Sequence, residues 1–168
     1  MPRRLLLTSF STWRADQRSN SSDDLIELLP QDTWDTATPL LRLLPVDVAQ
    51  ATERAIAYIH AFTPDVVVCC GMAEGRSRLH LERQAVQADR TLQTPIDLEQ
   101  LCQALPMTEI SHDAGQFVCN GYYFALLDYL AQAHQPTQAL FVHVPVLTPE
   151  NRTLLVQDFT AVLNRLQQ

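Results

Sequence analysis

Cys119 stands in "DAGQFVCNGYYF", where a short apolar run, Phe117-Val118, gives way to a helical pattern. A thiol at or just before a helix N-terminus lies among unpaired amides and the positive end of the helix dipole. Both stabilise a thiolate, and the same amides can hold an oxyanion. A cysteine nucleophile also needs a base, usually histidine, and often a third group to orient that base. His143, near the end of "ALFVHVPV", and Glu82, in "LHLERQA", are residue types suited to those two tasks. Each of the three also has a plainer reading. A free cysteine is commonly a small buried hydrophobe. A lone histidine in an apolar strand is commonly a satisfied core residue. A glutamate beside an arginine is commonly solvated or ion-paired. "SHDAG" sets Ser111, His112 and Asp113 side by side, but neighbours point apart along a regular backbone, whereas a serine triad needs side chains from separate elements.

The elements that must position these residues follow from the pattern. "RRLLLTSF" reads as a buried first strand. "SNSSDDLIELL" reads as a helix capped by Asn20, Ser21 or Ser22, with acidic residues in its first turn. "LLRLLPV" is a second short strand. "VDVAQATERAIAYIHAF" spaces its apolar residues at three and four, which predicts a helix. "PDVVVCCG" is continuous, β-branched and ended by Gly71, the pattern of a strand buried on both faces. "DLEQLCQAL" is a short helix. "QFVC" is a strand end or a tight entry into a helix starting near Asn120. "ALFVHVPV" is another buried strand. The last helix lies in "TPENRTLLVQDFTAVLNRL", with Thr148 as cap and Pro149 at the first helical position. Alternating strands and helices predict an α/β fold, three-layer α/β/α with a mostly parallel sheet. No internal repeat or linker interrupts residues 1–168, so one domain is expected.

Two of the four glycines lie in "GMAEGRSRLHLER", directly after the third strand; the other two flank "QFVCN". Ligands of open α/β sheets bind at the carboxyl ends of strands, so both stretches are placed for a site as well as for ordinary turns. "GMAEGR" is neither a dinucleotide fingerprint nor a P-loop. Arg76 and Arg78 are suited to clamp a carboxylate or carbonyl, or to pair with Glu74 and Glu82; pairing is the preferred reading for Arg78.

Composition bounds the function. The chain of 168 residues is 46% hydrophobic and 18% charged, a globular balance, and its formal charge is -7. An acidic chain without a basic run is a poor partner for nucleic acid or an anionic membrane, which leaves small or peptide-like ligands or a protein partner. The start lacks the long apolar region and cleavage site of a signal peptide, and no stretch is apolar enough to span a bilayer. A cytoplasmic setting is therefore expected, with Cys69, Cys70, Cys102 and Cys119 as free thiols. Cys69 and Cys70 should point to opposite faces of a strand. No paired Cys/His spacing points to zinc.

"PDVVVCCGMAEGRSRLHLER", then "SHDAGQFVCN", then "FVHVP" resembles the pyroglutamyl peptidase I family, the pyrrolidone carboxyl peptidases, from Arg4 to Pro145. The resemblance implies a cytosolic cysteine peptidase that removes N-terminal pyroglutamate from peptides without metal or organic cofactor. By motif it places a catalytic triad on Glu82, Cys119 and His143. It places aromatic pocket residues on Phe10 and Trp13, further pocket positions on Phe117 and Val118, and lactam-binding backbone on Gly71 and Met72. Arg90, one residue out of register, stands for the family's arginine near the oxyanion. The chain departs from the family in the loop after the first strand. The usual Gly-Phe-x-Pro-Phe-Gly is here "SFSTWRAD", without its glycines or proline. The segment between Arg90 and Ser111, normally a loop near the entrance and between subunits, is also shorter, so the oligomeric state is left open. Two other functions fit the same motifs: a catalytically silent module that binds capped peptides, and a cyclic-amide amidohydrolase.

Overall fold

The computed structural model describes residues 1–30 and 38–168. Its elements are β1 (Leu5–Phe10), α1 (Ser21–Glu27), β2 (Leu40–Leu44), α2 (Val48–Phe62), β3 (Val66–Met72), β4 (Leu79–Glu82), β5 (Gln84–Gln87), β6 (Arg90–Gln93), α3 (Leu98–Cys102), β7 (Thr108–Ser111), α4 (Val118–Gln132), β8 (Gln138–Val144) and α5 (Arg152–Leu166). Six strands form one sheet in the order β2-β1-β3-β8-β4-β7. Every pairing in it is parallel except β4 against β8. No described helix is long and apolar enough to cross a membrane.

Strand alternation sorts the sheet's side chains into two layers. Leu5, Leu7, Val66, Val68, Cys70, Leu79, Leu81, Leu140 and Val142 pack with α1, α3 and α5. Leu6, Val67, Cys69, Ala139 and Phe141 pack with α2 and α4. The vicinal Cys69 and Cys70 thus enter opposite layers, as expected. Continuous apolar runs in the central strands are what helices on both faces require.

Three local expectations change. β3 runs through Gly71 to Met72. "QFVC" contributes no strand, and α4 starts at Val118, so Cys119 is its second residue. The last helix starts at Arg152 rather than at Pro149, and its cap is Asn151. Thr148 and Asn151 bond reciprocally, backbone N–H to side-chain oxygen at 2.8 and 3.4 Å, and this turn absorbs Pro149 before the helix begins. Asn20 is the cap of α1, its side chain accepting from the Ser22 amide.

Candidate active site

The face that meets α4 carries the chemistry. Leu79 and Leu81 point into the opposite layer, so His80 and Glu82 of β4 point toward α4. On β8, His143 shares a face with Phe141; on β3, Gly71 shares one with Cys69. Gly71 is the register partner of His143, and His143 is opposite His80 across the one antiparallel pairing. Glu82, His143 and Gly71 therefore lie close together on three strands, near the carboxyl ends of β3 and β8.

Glu82 is fully buried and His143 nearly so, and Glu82 Oε1 accepts from His143 Nδ1 at 2.7 Å. A carboxylate only accepts, so Nδ1 carries the hydrogen, which in the neutral ring leaves the lone pair on Nε2. Phe141 packs against the imidazole with ring centroids 4.9 Å apart. Cys119 comes to the same place from α4. A Cβ on Gly71 would lie 2.6 Å from Cys119 Sγ and 2.7 Å from Phe141 Cζ, distances no real methyl group tolerates. Glycine is required there because the thiol lies directly over the β3 backbone.

The start of α4 is fixed by its neighbours. Asn120 bonds Val86 of β5 in both directions, at 2.9 and 2.8 Å, and the Tyr123 hydroxyl donates to the Glu82 carbonyl at 3.0 Å. Among the described residues no side chain caps the helix at Phe117, which leaves first-turn amides for a ligand. The helix does not produce a resting thiolate, contrary to the sequence expectation. Burial, together with the Glu82 charge, pushes the Cys119 thiol up to about 12. Desolvation outweighs the helix terminus, so the thiol is neutral until a base removes its proton.

Burial likewise raises Cys69 to about 12 and Cys102 to about 11. The sign of the consequence follows from linkage. Above the ordinary thiol value of about 8.5, the unfolded chain loses these protons before the native state does, so stability falls as pH rises. It is fully present below that value and declines through about 11 to 12. Urea midpoints measured at about pH 8 and about pH 10.5 should therefore drop at the higher pH, and less so in a Cys69→Ala variant.

A pocket of about 610 Å³ opens at Cys119 and His143. Phe10, Trp13, Met72, Phe117 and Val118 line it, and Gly71 lies under the thiol. Phe117 is 88% exposed, so it forms the rim rather than the interior. Arg90 is not in the pocket. The β5–β6 hairpin, whose short polar strands gave no pattern in the sequence, carries Arg90 to the outer side of α4. There it pairs with Asp128 at 2.5 Å and packs over the Phe124 ring. The sequence also missed Arg14, Asn20, Val46 and Glu74, which line the pocket from the loops after β1, β2 and β3. Their signal was only position, after the carboxyl end of a strand.

The altered loop after β1 is held without glycine or proline. Gln17 Oε1 accepts from the Trp13 and Arg14 amides at 3.0 and 3.2 Å. Arg14 reaches Glu74 with both terminal nitrogens, at 2.9 and 3.1 Å, tying this loop to the one after β3. The remaining arginines depart from the pairings read from the sequence. Arg78 pairs with Glu109, not with Glu74 or Glu82, at 3.4 Å. Arg76 bonds His80 Nδ1 and donates to the Asp113 carbonyl at 2.9 Å. In "SHDAG", the Ser111 hydroxyl bonds Asp113 backbone and His112 is exposed.

A mostly parallel α/β sheet that brings a thiol and a carboxylate-bound imidazole to one pocket belongs to the class of cysteine hydrolases. The pyroglutamyl peptidase profile matches residues 3–100 and 95–158, and the chain belongs to that family. It is 26% identical to a pyrrolidone-carboxylate peptidase of Bacillus cytotoxicus, over 89% of this chain and 81% of that one. It is 28% identical to one of Gloeobacter violaceus, over 86% and 82%. Its fold is similar to pyroglutamyl peptidase I of Bacillus amyloliquefaciens, with TM-score 0.81, 18% identity and coverage of 96% and 95%. It is also similar to the pyrrolidone carboxyl peptidase of Thermococcus litoralis, with TM-score 0.81, 20% identity and coverage of 98% and 93%.

Proposed function

We propose that this protein is a cysteine exopeptidase that releases pyroglutamate from the N-terminus of peptides. Cys119 is the nucleophile, His143 the general base and acid, and Glu82 the carboxylate that orients His143. The observation that carries the reading is the buried Glu82–His143 hydrogen bond, set beside the thiol over Gly71. Family membership supplies the substrate class.

In this reading the lactam ring enters between Phe10 and Trp13. Val118 completes the apolar wall, Phe117 the rim, and backbone of Gly71 and Met72 meets the lactam N–H and C=O. His143 Nε2 takes the Cys119 proton as sulfur bonds to the pyroglutamyl carbonyl carbon. First-turn amides of α4 receive the oxyanion. The imidazolium gives that proton to the departing nitrogen as the C–N bond breaks, leaving a thioester. Water, deprotonated by His143, then releases pyroglutamate and restores the thiol. Every proton is moved by Cys119, His143 and water, so the chemistry calls for no metal or organic cofactor. A neutral resting thiol suits this order, because charge appears on sulfur only as the base acts. The four unpaired cysteines support a reducing, cytoplasmic setting, and residues 1–168 act as one peptidase unit.

The test is hydrolysis of a pyroglutamyl coumarinyl amide beside its prolyl and alanyl counterparts. The expected result is turnover of the pyroglutamyl amide alone. A folded protein that binds pyroglutamyl peptides and turns over none of the three would be the silent binding module. Turnover of free lactams in preference to peptides would make it an amidohydrolase.

A further inference from the structure

The proposed peptidase reading leaves one charge in the pocket unused. Arg76 lines the pocket and is half-buried. Its two hydrogen-bond partners are both neutral acceptors, the Nδ1 of His80 and the carbonyl of Asp113. His80 in turn donates through Nε2 to Glu109 at 2.9 Å, and burial and Arg76 both hold its pKa below the usual histidine value. No carboxylate among the described residues lies within ion-pair distance of Arg76. The other arginine of the pocket, Arg14, is matched by Glu74 and Asp16. Among the described residues, the cleft therefore carries one positive charge without an acidic partner.

The sheet order says which part of a substrate meets that charge. Phe10 ends β1, and Trp13 and Val46 come from the loops after β1 and β2, on one side of the nucleophile. Arg76 is tied to β4 through His80 and to the loop after β7 through Asp113, on the other side. Cys119 lies between them, over β3. With the ring among the aromatics, the residue that leaves extends toward Arg76.

We infer that Arg76 recognises a carboxylate on the residue immediately following pyroglutamate, so that this enzyme favours short acidic substrates such as pyroglutamyl dipeptides with a free carboxyl terminus. A guanidinium is suited to this because its planar donor fork matches a carboxylate. Two sources offer that group, the α-carboxylate of a dipeptide and an acidic side chain of a longer peptide. This inference rests on the peptidase reading.

The experiment compares kcat/KM for pyroglutamyl-alanine, pyroglutamyl-alanine amide and pyroglutamyl-glutamic acid α-amide, whose one free carboxylate is on the side chain. It uses the wild type, Arg76→Gln and Arg76→Lys. The free acid should exceed the neutral amide by about tenfold in the wild type, the scale of one charged hydrogen bond. That ratio should fall toward one in Arg76→Gln, persist in part in Arg76→Lys, and shrink at high ionic strength in the wild type. Because Arg76 also braces the loop before Cys119, all three rates will drop in the variants; the ratio is what a purely structural role would not move. Preference for the free dipeptide assigns the α-carboxylate, and preference for the glutamic α-amide assigns the side chain. Equal rates for all three substrates, or a preference that survives Arg76→Gln, would overturn the inference while leaving the peptidase reading intact. No turnover of any of them would sink that reading instead.

Discussion

Gly71→Ala lowers kcat by about a hundredfold or more in a chain that still folds. The added methyl would sit 2.6 Å from Cys119 Sγ and 2.7 Å from Phe141 Cζ, so one or both must move. Neither move is neutral for the chemistry. The thiol is the proposed nucleophile, and Phe141 packs on the imidazole of His143, the register partner of Gly71. A displacement near 1 Å in a reacting group is enough for about a hundredfold in rate. Overpacking a filled interior costs about 1–3 kcal/mol in stability. Because the thiol borders the pocket, its displacement absorbs part of that cost. Steady-state kinetics beside a urea melt separates the two effects: the rate should collapse while a cooperative transition remains. A Gly71→Ala enzyme with wild-type kcat would mean the thiol is not held where the reaction needs it.

Glu82→Gln should cost about 10³ to 10⁴ in kcat, the scale seen where a triad carboxylate becomes an amide. The amide can turn its NH₂ to His143 Nδ1. The ring then carries its hydrogen on Nε2 and cannot accept the thiol proton. Stability should move the other way. Glu82 is fully buried, one oxygen is used by His143, and Oε2 has no hydrogen-bond partner among the described residues. Holding a carboxylate in such a place is costly, so a neutral isostere should be no less stable than the wild type. Loss of activity with an unchanged or raised urea midpoint is the expected pair of results. Retained activity would remove Glu82 from the mechanism.

The difference between what the sequence disclosed and what it hid has a physical basis. β1, β3 and β8 were readable because strands covered on both faces must be continuously apolar. The helices α2 and α5 were readable because each has one apolar side. Cys119 and His143 were legible as candidates because they stand at the edges of such elements. Glu82 was not distinguishable from a surface glutamate, since "LHLE" is short and its polar members alternate. Only the antiparallel pairing of β4 with β8 makes His80 and Glu82 interior residues. The same lack of pattern hid β5 and β6, and with them the turn that carries Arg90 away from the pocket. The thiol's pKa was read in the wrong direction because a helix N-terminus is visible in sequence and desolvation is not. Arg76 was flagged beside two acidic residues close in sequence, yet it bonds His80, also close in sequence, and the Asp113 carbonyl from the loop after β7, which only the fold brings near.

The most direct test of the central claim compares Cys119→Ala with Cys69→Ala and Cys102→Ala on the pyroglutamyl coumarinyl amide. Only Cys119→Ala should lose turnover, falling to the uncatalysed rate while still binding a pyroglutamyl peptide. The other two should keep activity close to the wild type. Wild-type turnover by Cys119→Ala would contradict the account, because no thiol attack would then be needed at this pocket.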